Sequence, residues 1–114
     1  MSRDENMYLL DIAESCEKIL RFTQGMARQD LMADQKTYDA VVRNLEIIGE
    51  AAKHVSDSMR KQISGVEWRK IAGLRDILIH AYFGIDNNIL WDIVKNKVPE
   101  LRASVAGYLK GHRD

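Results

Sequence analysis

Apolar residues return every three or four positions along nearly the whole 114-residue chain, with polar residues between them. This is the helical period, and no stretch shows the alternation of a strand. The first helix is predicted from about Asp4 to Gln24 or Met26. Tyr8, Ile12, Ser15, Ile19, Phe22 and Met26 form its stripe, widened by Leu9, Cys16 and Leu20, and Gly25 frays its end. Arg28 to Gln35 predicts a connection or a short turn. A second helix follows from about Thr37 to Val55, with Tyr38, Val41, Val42, Leu45, Ile48, Ala52 and Val55 on its apolar face. Gly49 inside it costs about 1 kcal/mol relative to alanine, which points to a close helix approach. Ser56 or Asp57 caps a short third helix to about Ile63, and Ser64-Gly65 interrupts the chain. The fourth helix begins near Val66 and turns Trp68, Ile71, Leu74 and Leu78 inward. Gly84 marks a turn, Asp86 is a suitable N-cap, and the last helix carries Leu90, Val94, Val98, Leu101, Val105 and Tyr108. Pro99 interrupts that pattern and predicts a kink, because it lacks an amide donor and crowds the carbonyl of Lys95. The pattern describes an all-α fold: one domain over residues 1–114, an antiparallel up-down helical bundle of four to five helices.

Composition narrows the class. At 46% apolar and 30% charged residues, the chain reads as a soluble globular domain. A domain of this length buries roughly two-thirds of its unfolded surface and needs no staple. Cys16 is the single cysteine, so no intrachain disulfide or thiolate zinc site is expected, which suits a reducing cytoplasm. The opening residues Ser2, Arg3, Asp4, Glu5 and Asn6 lack the pattern of a signal peptide. No apolar run approaches the roughly 18 residues of a membrane span, so no membrane partner and a cytoplasmic location are expected.

The 17 basic and 17 acidic residues cancel, so no whole-molecule field draws in nucleic acid. Their distribution is uneven. Lys53, Arg60, Lys61, Arg69, Lys70 and Arg75 face only Asp57 and Glu67 over residues 53–75. Such a stretch is either a solvated polar face or a local field for a phosphate backbone.

The candidate chemistry follows directly. Leu74-Arg75-Asp76-Ile77-Leu78-Ile79-His80-Ala81-Tyr82-Phe83-Gly84 places an arginine, an acid, a histidine and a tyrosine in an otherwise apolar segment. Burying such groups is costly unless each finds a partner. Arg75 and His80 lie about 140° apart on an ideal helix. On one continuous helix they share a site only with the help of arginine's reach; otherwise the helix ends near Leu78, or two copies of the chain combine their groups. Asp76 and His80 are spaced to let a carboxylate orient an imidazole. Arginine offers a planar fork of donors to a phosphoryl group, and histidine exchanges protons near neutrality. Together they can cleave RNA without metal: a base takes the 2′-hydroxyl proton, the oxygen attacks phosphorus, and arginine stabilises the added charge. An Arg–Asp pair with a histidine at a helix end is equally a structural arrangement.

Arg75, Asp76, the intervening residues and His80 resemble the Arg-x4-His motif of the HEPN superfamily. His80-Ala81-Tyr82 extends it to the Arg-x4-His-x-Tyr form of HepT-like toxins. Arg43-Asn44-Leu45-Glu46-Ile47-Ile48-Gly49-Glu50-Ala51-Ala52 and Trp68-Arg69-Lys70-Ile71-Ala72-Gly73-Leu74-Arg75 are similar to the same family, as are Tyr82-Phe83-Gly84-Ile85-Asp86 and Val98-Pro99-Glu100-Leu101. The resemblance implies a HEPN-like bundle that forms a homodimer with both motifs facing a cleft. It implies a metal-independent endoribonuclease toxin of a type VII toxin–antitoxin pair, needing no cofactor. Its implied partners are an RNA substrate and a cognate MntA-type nucleotidyltransferase antitoxin that silences the toxin by transferring AMP to a tyrosine. By position, Arg75 and His80 would be catalytic, Asp76 supporting, and Tyr82 the AMP acceptor.

Other readings compete. A non-catalytic module could hold nucleotide or RNA in the same cleft for a minimal nucleotidyltransferase. His54, His80 and His112 lack paired metal-ligand spacing. Glu46, Glu50 and His54 share a helix face, but no Glu-x-x-His pattern of a di-iron bundle is present. Cys16 reads as core, and Trp68 and Trp91 as packing anchors, with base stacking as the alternative for one of them.

Overall fold

A computed structural model describes residues 4–74, 76, 78 and 86–111. Among these residues the chain is helical, with no strand. Helix α1 spans Glu5–Phe22, α2 Arg28–Ala33, α3 Gln35–Lys53, α4 Asp57–Gln62 and α5 Trp68–Ala72. Further on, α6 spans Asn87–Asp92, a π-helical turn Ile93–Lys97, and α7 Val98–Gly111. The long helices build the bundle. Helix α1 packs against both α3 and α7, while α5 and α2 pack on α3.

Each long helix is amphipathic, and its buried stripe is the core. Leu9, Ile12, Cys16 and Ile19 of α1 meet Val41, Leu45, Ile48 and Ala52 of α3 and Val98, Leu101 and Val105 of α7 in one cluster. Leu9, Ile12, Ser15, Cys16 and Ile19 of the expected α1 stripe are buried, and its edges differ. Tyr8 and Leu20 flank it half-buried, and Phe22 is 38% exposed. The reason lies at the helix end. Thr23 closes α1 by donating its hydroxyl to the Ile19 carbonyl at 2.8 Å, and Gly25 turns the chain away at φ +77°, a conformation a side chain disfavours. The helix therefore stops at Phe22, short of Gln24 or Met26.

Caps set the other boundaries. The expected connection at 28–35 contains the short helix α2, whose Asp30 carboxylate accepts from the Ala27 amide at 2.8 Å. Asp34 then caps α3 by accepting from the Thr37 amide and hydroxyl at 3.1 and 2.7 Å. Ser56 caps α4, and Asp86 caps α6, accepting from the Asn88 and Ile89 amides at 2.8 and 3.4 Å. Both residues were legible as caps. The Pro99 irregularity takes the form of the π-helical turn just before it, in which the Val98 amide reaches back to the Ile93 carbonyl. Pro99 thereby falls in the first turn of α7, where a missing amide costs least.

Candidate functional site

The run into the Arg75–Tyr82 segment is seated by Trp68. This residue is 6% exposed and starts α5. The Arg60 guanidinium lies over its ring at 5.9 Å and donates to the Ala52 carbonyl at 2.7 Å. One arginine thus ties the end of α3 to α4 and to the start of α5, adding to the Val55 amide that already donates to that carbonyl at 3.3 Å. Beyond α5, Leu74, Asp76 and Leu78 have helical backbone. Leu78 is buried at 4%, Leu74 is half-buried, and Asp76 is exposed. The inward positions match those read from the sequence.

Asp76 has a partner that sequence spacing did not indicate. Its carboxylate lies 3.9 Å from Nζ of Lys53, in the last turn of α3. Both groups are exposed, so the pair contributes little to stability. Arg75, His80 and Tyr82 lie outside the described residues. So do the expected turn beyond Leu78 and the expected cleft.

The basic excess over residues 53–75 is partly consumed by structure. Arg60 is spent on Ala52 and Trp68, Lys53 faces Asp76, and Lys70 pairs with Glu67 at 2.8 Å. The hydrogen bond from Lys70 holds the Glu67 carboxyl below the usual carboxylate range, with the positive charge of Lys97 adding to it. The same bond holds the Lys70 ammonium above its ordinary value. Lys61 and Arg69 are exposed. The usable positive field is therefore smaller than the residue count suggests, and Arg69 stands beside a groove.

That groove, of about 480 Å³, lies between α5 and the π-helical turn with the start of α7. Val66, Ile71, Leu74, Ile93 and Leu101 give it apolar walls. Its charged residues are of both signs: Arg69, Lys70 and Lys97 with Glu67, Asp92 and Glu100. Sequence reading missed it because the two walls are far apart along the chain. The one available signal was Pro99, which marked where the last helix departs from regular geometry.

A second polar cluster joins α1 to α3. The rings of Tyr8 and His54 stack at 4.8 Å between centroids, 13° from parallel, and Nε2 of His54 lies 3.6 Å from Glu50. Asp11, Glu50 and His54 border a cavity of about 200 Å³ there. Glu50 and His54 share a helix face, as their spacing indicated. Among the described residues, no three histidine, cysteine or acidic side chains converge as a metal site would require. Cys16 is buried, and that burial pushes its thiol up to about 12. It is part of the core, as expected.

A helical bundle in which Arg-x4-His-x-Tyr follows a helix anchored by a buried tryptophan defines a class, the HEPN-type helical domain. More narrowly, residues 12–106 match the model of the family described as Ribonuclease HepT-like, and the chain belongs to that family. Curated relatives agree. A protein named "Probable ribonuclease HepT" from Thermococcus cleftensis is 45% identical over 90% of this chain and 93% of its own length. A "Putative RNase" from Methanocaldococcus jannaschii is 41% identical over 90% of this chain and 94% of its own length. Another "Putative RNase", from Caldanaerobacter subterraneus, is 40% identical over 90% and 92%. No solved structure matches the chain significantly.

Proposed function

We propose that the protein is an endoribonuclease toxin of a type VII toxin–antitoxin pair, with Arg75 and His80 as its catalytic residues. The observation that carries this reading is family membership over residues 12–106, with relatives named as ribonucleases and the Arg75-x4-His80-x-Tyr82 sequence intact. His80 takes the 2′-hydroxyl proton of RNA. The freed oxygen attacks the adjacent phosphorus, and the bond to the 5′-oxygen of the next nucleotide breaks, leaving a cyclic phosphate and a 5′-hydroxyl. Arg75 stabilises the charge that builds on the phosphoryl oxygens. The leaving oxygen needs a proton from a second group. A homodimer supplies it by bringing a second His80 to the cleft. The route needs no metal, and DNA, lacking the 2′-hydroxyl, is not a substrate. The working compartment is the cytoplasm, where the RNA is.

Asp76 supports this chemistry from outside the reaction. Its carboxylate, one residue after Arg75 in the sequence, lies 3.9 Å from the Lys53 ammonium at the end of α3. The partner is an MntA-type nucleotidyltransferase that moves AMP from ATP to the Tyr82 hydroxyl, releasing pyrophosphate. An added AMP two residues from His80 fills the cleft and competes for Arg75, so the modified protein no longer binds RNA.

The test compares wild type with His80→Ala, each purified without the partner nucleotidyltransferase. The wild type cleaves RNA with 5′-hydroxyl ends, a chelator leaves the rate unchanged, and His80→Ala loses at least about a hundredfold of activity while keeping its helical spectrum and mass. Binding of RNA by both forms with no cleavage by either would instead establish a binding module serving the nucleotidyltransferase.

A further inference from the structure

The groove beside α5 takes no part in the chemistry above, and Leu74, in its wall, is the residue before Arg75 in the sequence. We infer that it is the subsite for one unstacked base of single-stranded RNA, adjoining the phosphate that is cut; the inference rests on the ribonuclease reading.

Three observations support it. The volume of about 480 Å³ lies within the roughly 300–1,000 Å³ of small-ligand sites, ample for one nucleotide. The walls are apolar, formed by Val66, Ile71 and Leu74 on one side and Ile93 and Leu101 on the other. They suit the faces of a heterocyclic ring. The charges then fit the rest of a nucleotide. Lys70 is taken by Glu67, but among the described residues Arg69 and Lys97 carry no ion pair, and they are placed to meet phosphates on either side of the base. Asp92 and Glu100 would repel phosphate, so a groove for backbone alone gains nothing from them. Carboxylates do accept hydrogen bonds from the exocyclic amino groups of cytosine, adenine and guanine, which uracil lacks. Asp92 already accepts from Nδ2 of Asn96 at 2.7 Å on one oxygen, so its other oxygen and the Glu100 carboxylate are the groups to meet a base amino group.

The wall opposite α5 is also built irregularly. The π-helical turn Ile93–Lys97 brings Ile93 and Lys97 to the groove together with Glu100 and Leu101 of α7. An uninterrupted α-helix would rotate these positions relative to one another, so the π turn sets which side chains face the groove.

The experiment uses full-length His80→Ala protein, which cannot cut the probe, and fluorescence anisotropy with labelled octaribonucleotides of cytidine, adenosine or uridine. The cytidine and adenosine octamers are expected to bind several-fold more tightly than the uridine one. Asp92→Asn with Glu100→Gln removes that preference, while Arg69→Ala with Lys97→Ala weakens all three octamers about tenfold. Val66→Trp fills the groove and weakens the preferred octamers at least about tenfold without altering the sedimentation coefficient. Should Val66→Trp fail to fold, the substitutions at the exposed Arg69 and Lys97 carry the test alone. If Val66→Trp changes the assembly state, the groove joins protein chains and the base subsite is overturned. Wild type that cleaves RNA, alongside octamer binding that is absent or indifferent to the groove, overturns the subsite alone. Wild type that cleaves no RNA removes the ribonuclease reading itself.

Discussion

Single residues in this chain divide into those whose role burial assigns and those whose role depends on a partner. Cys16 belongs to the first kind. It has no exposed surface, and burial lifts its thiol to about 12, so it stays a protonated thiol at any physiological pH. The expected outcome is no labelling by a thiol reagent at pH 8 in the native state and full labelling in denaturant, measured by mass spectrometry. Asp86 belongs to the second kind. Its carboxylate closes the N-terminus of α6 on two amides. Asp86→Ala should lower stability by about 1 kcal/mol, read as a shift in the urea midpoint with unchanged slope. Asp86 could be chosen as a cap from the sequence alone, because an aspartate before an amphipathic run after a glycine has few other uses. Lys53 as the partner of Asp76 could not, since 23 positions separate the two along the chain.

Among the elements, carboxylates at helix starts do much of the joining. The Glu5 carboxylate in the first turn of α1 accepts from the Ser56 amide at 2.8 Å, linking α1 to the cap of α4. Hydrogen bonds from the Ser56 hydroxyl and then its amide hold Glu5 below the usual carboxylate range, and Thr37 does the same for Asp34 at the start of α3. A carboxyl that is more acidic in the folded state stabilises the fold above its unfolded pKa, near 4, and loses that contribution as pH falls through its lowered folded value. The melting temperature should therefore fall as pH drops from 5 towards 3. Glu5→Gln with Asp34→Asn should start lower and fall less steeply in thermal unfolding followed by circular dichroism. The helix starts were legible because caps are local in sequence. The π-helical turn was not, because the proline announced an irregularity without saying whether it would appear as a bend or as a widened turn.

For the whole molecule, the assembly state follows from the chemistry proposed for Arg75 and His80. One pair supplies a base and an anchor, while the departing oxygen needs an acid that a second subunit can provide. The expected outcome is a dimer by sedimentation velocity at micromolar concentration. Mixing His80→Ala with wild-type subunits should yield heterodimers whose activity falls well below half that of wild type. Activity in direct proportion to wild-type subunits would show that each chain acts alone.

The spacing of apolar residues determined by itself that this chain makes helices and which faces they bury, because helical period and capping act over a few neighbouring positions. The order Arg75, His80, Tyr82 likewise exists in the sequence before any folding. Tertiary structure alone decided how the charges are used: Arg60 against Ala52 and Trp68, Lys53 against Asp76, and Arg102 against Glu17 at 3.3 Å across 85 positions. It also decided that α5 and the π-helical turn enclose a groove. Those outcomes depend on where distant elements come to rest, and no local pattern encodes the distance between side chains that meet only after the core has closed.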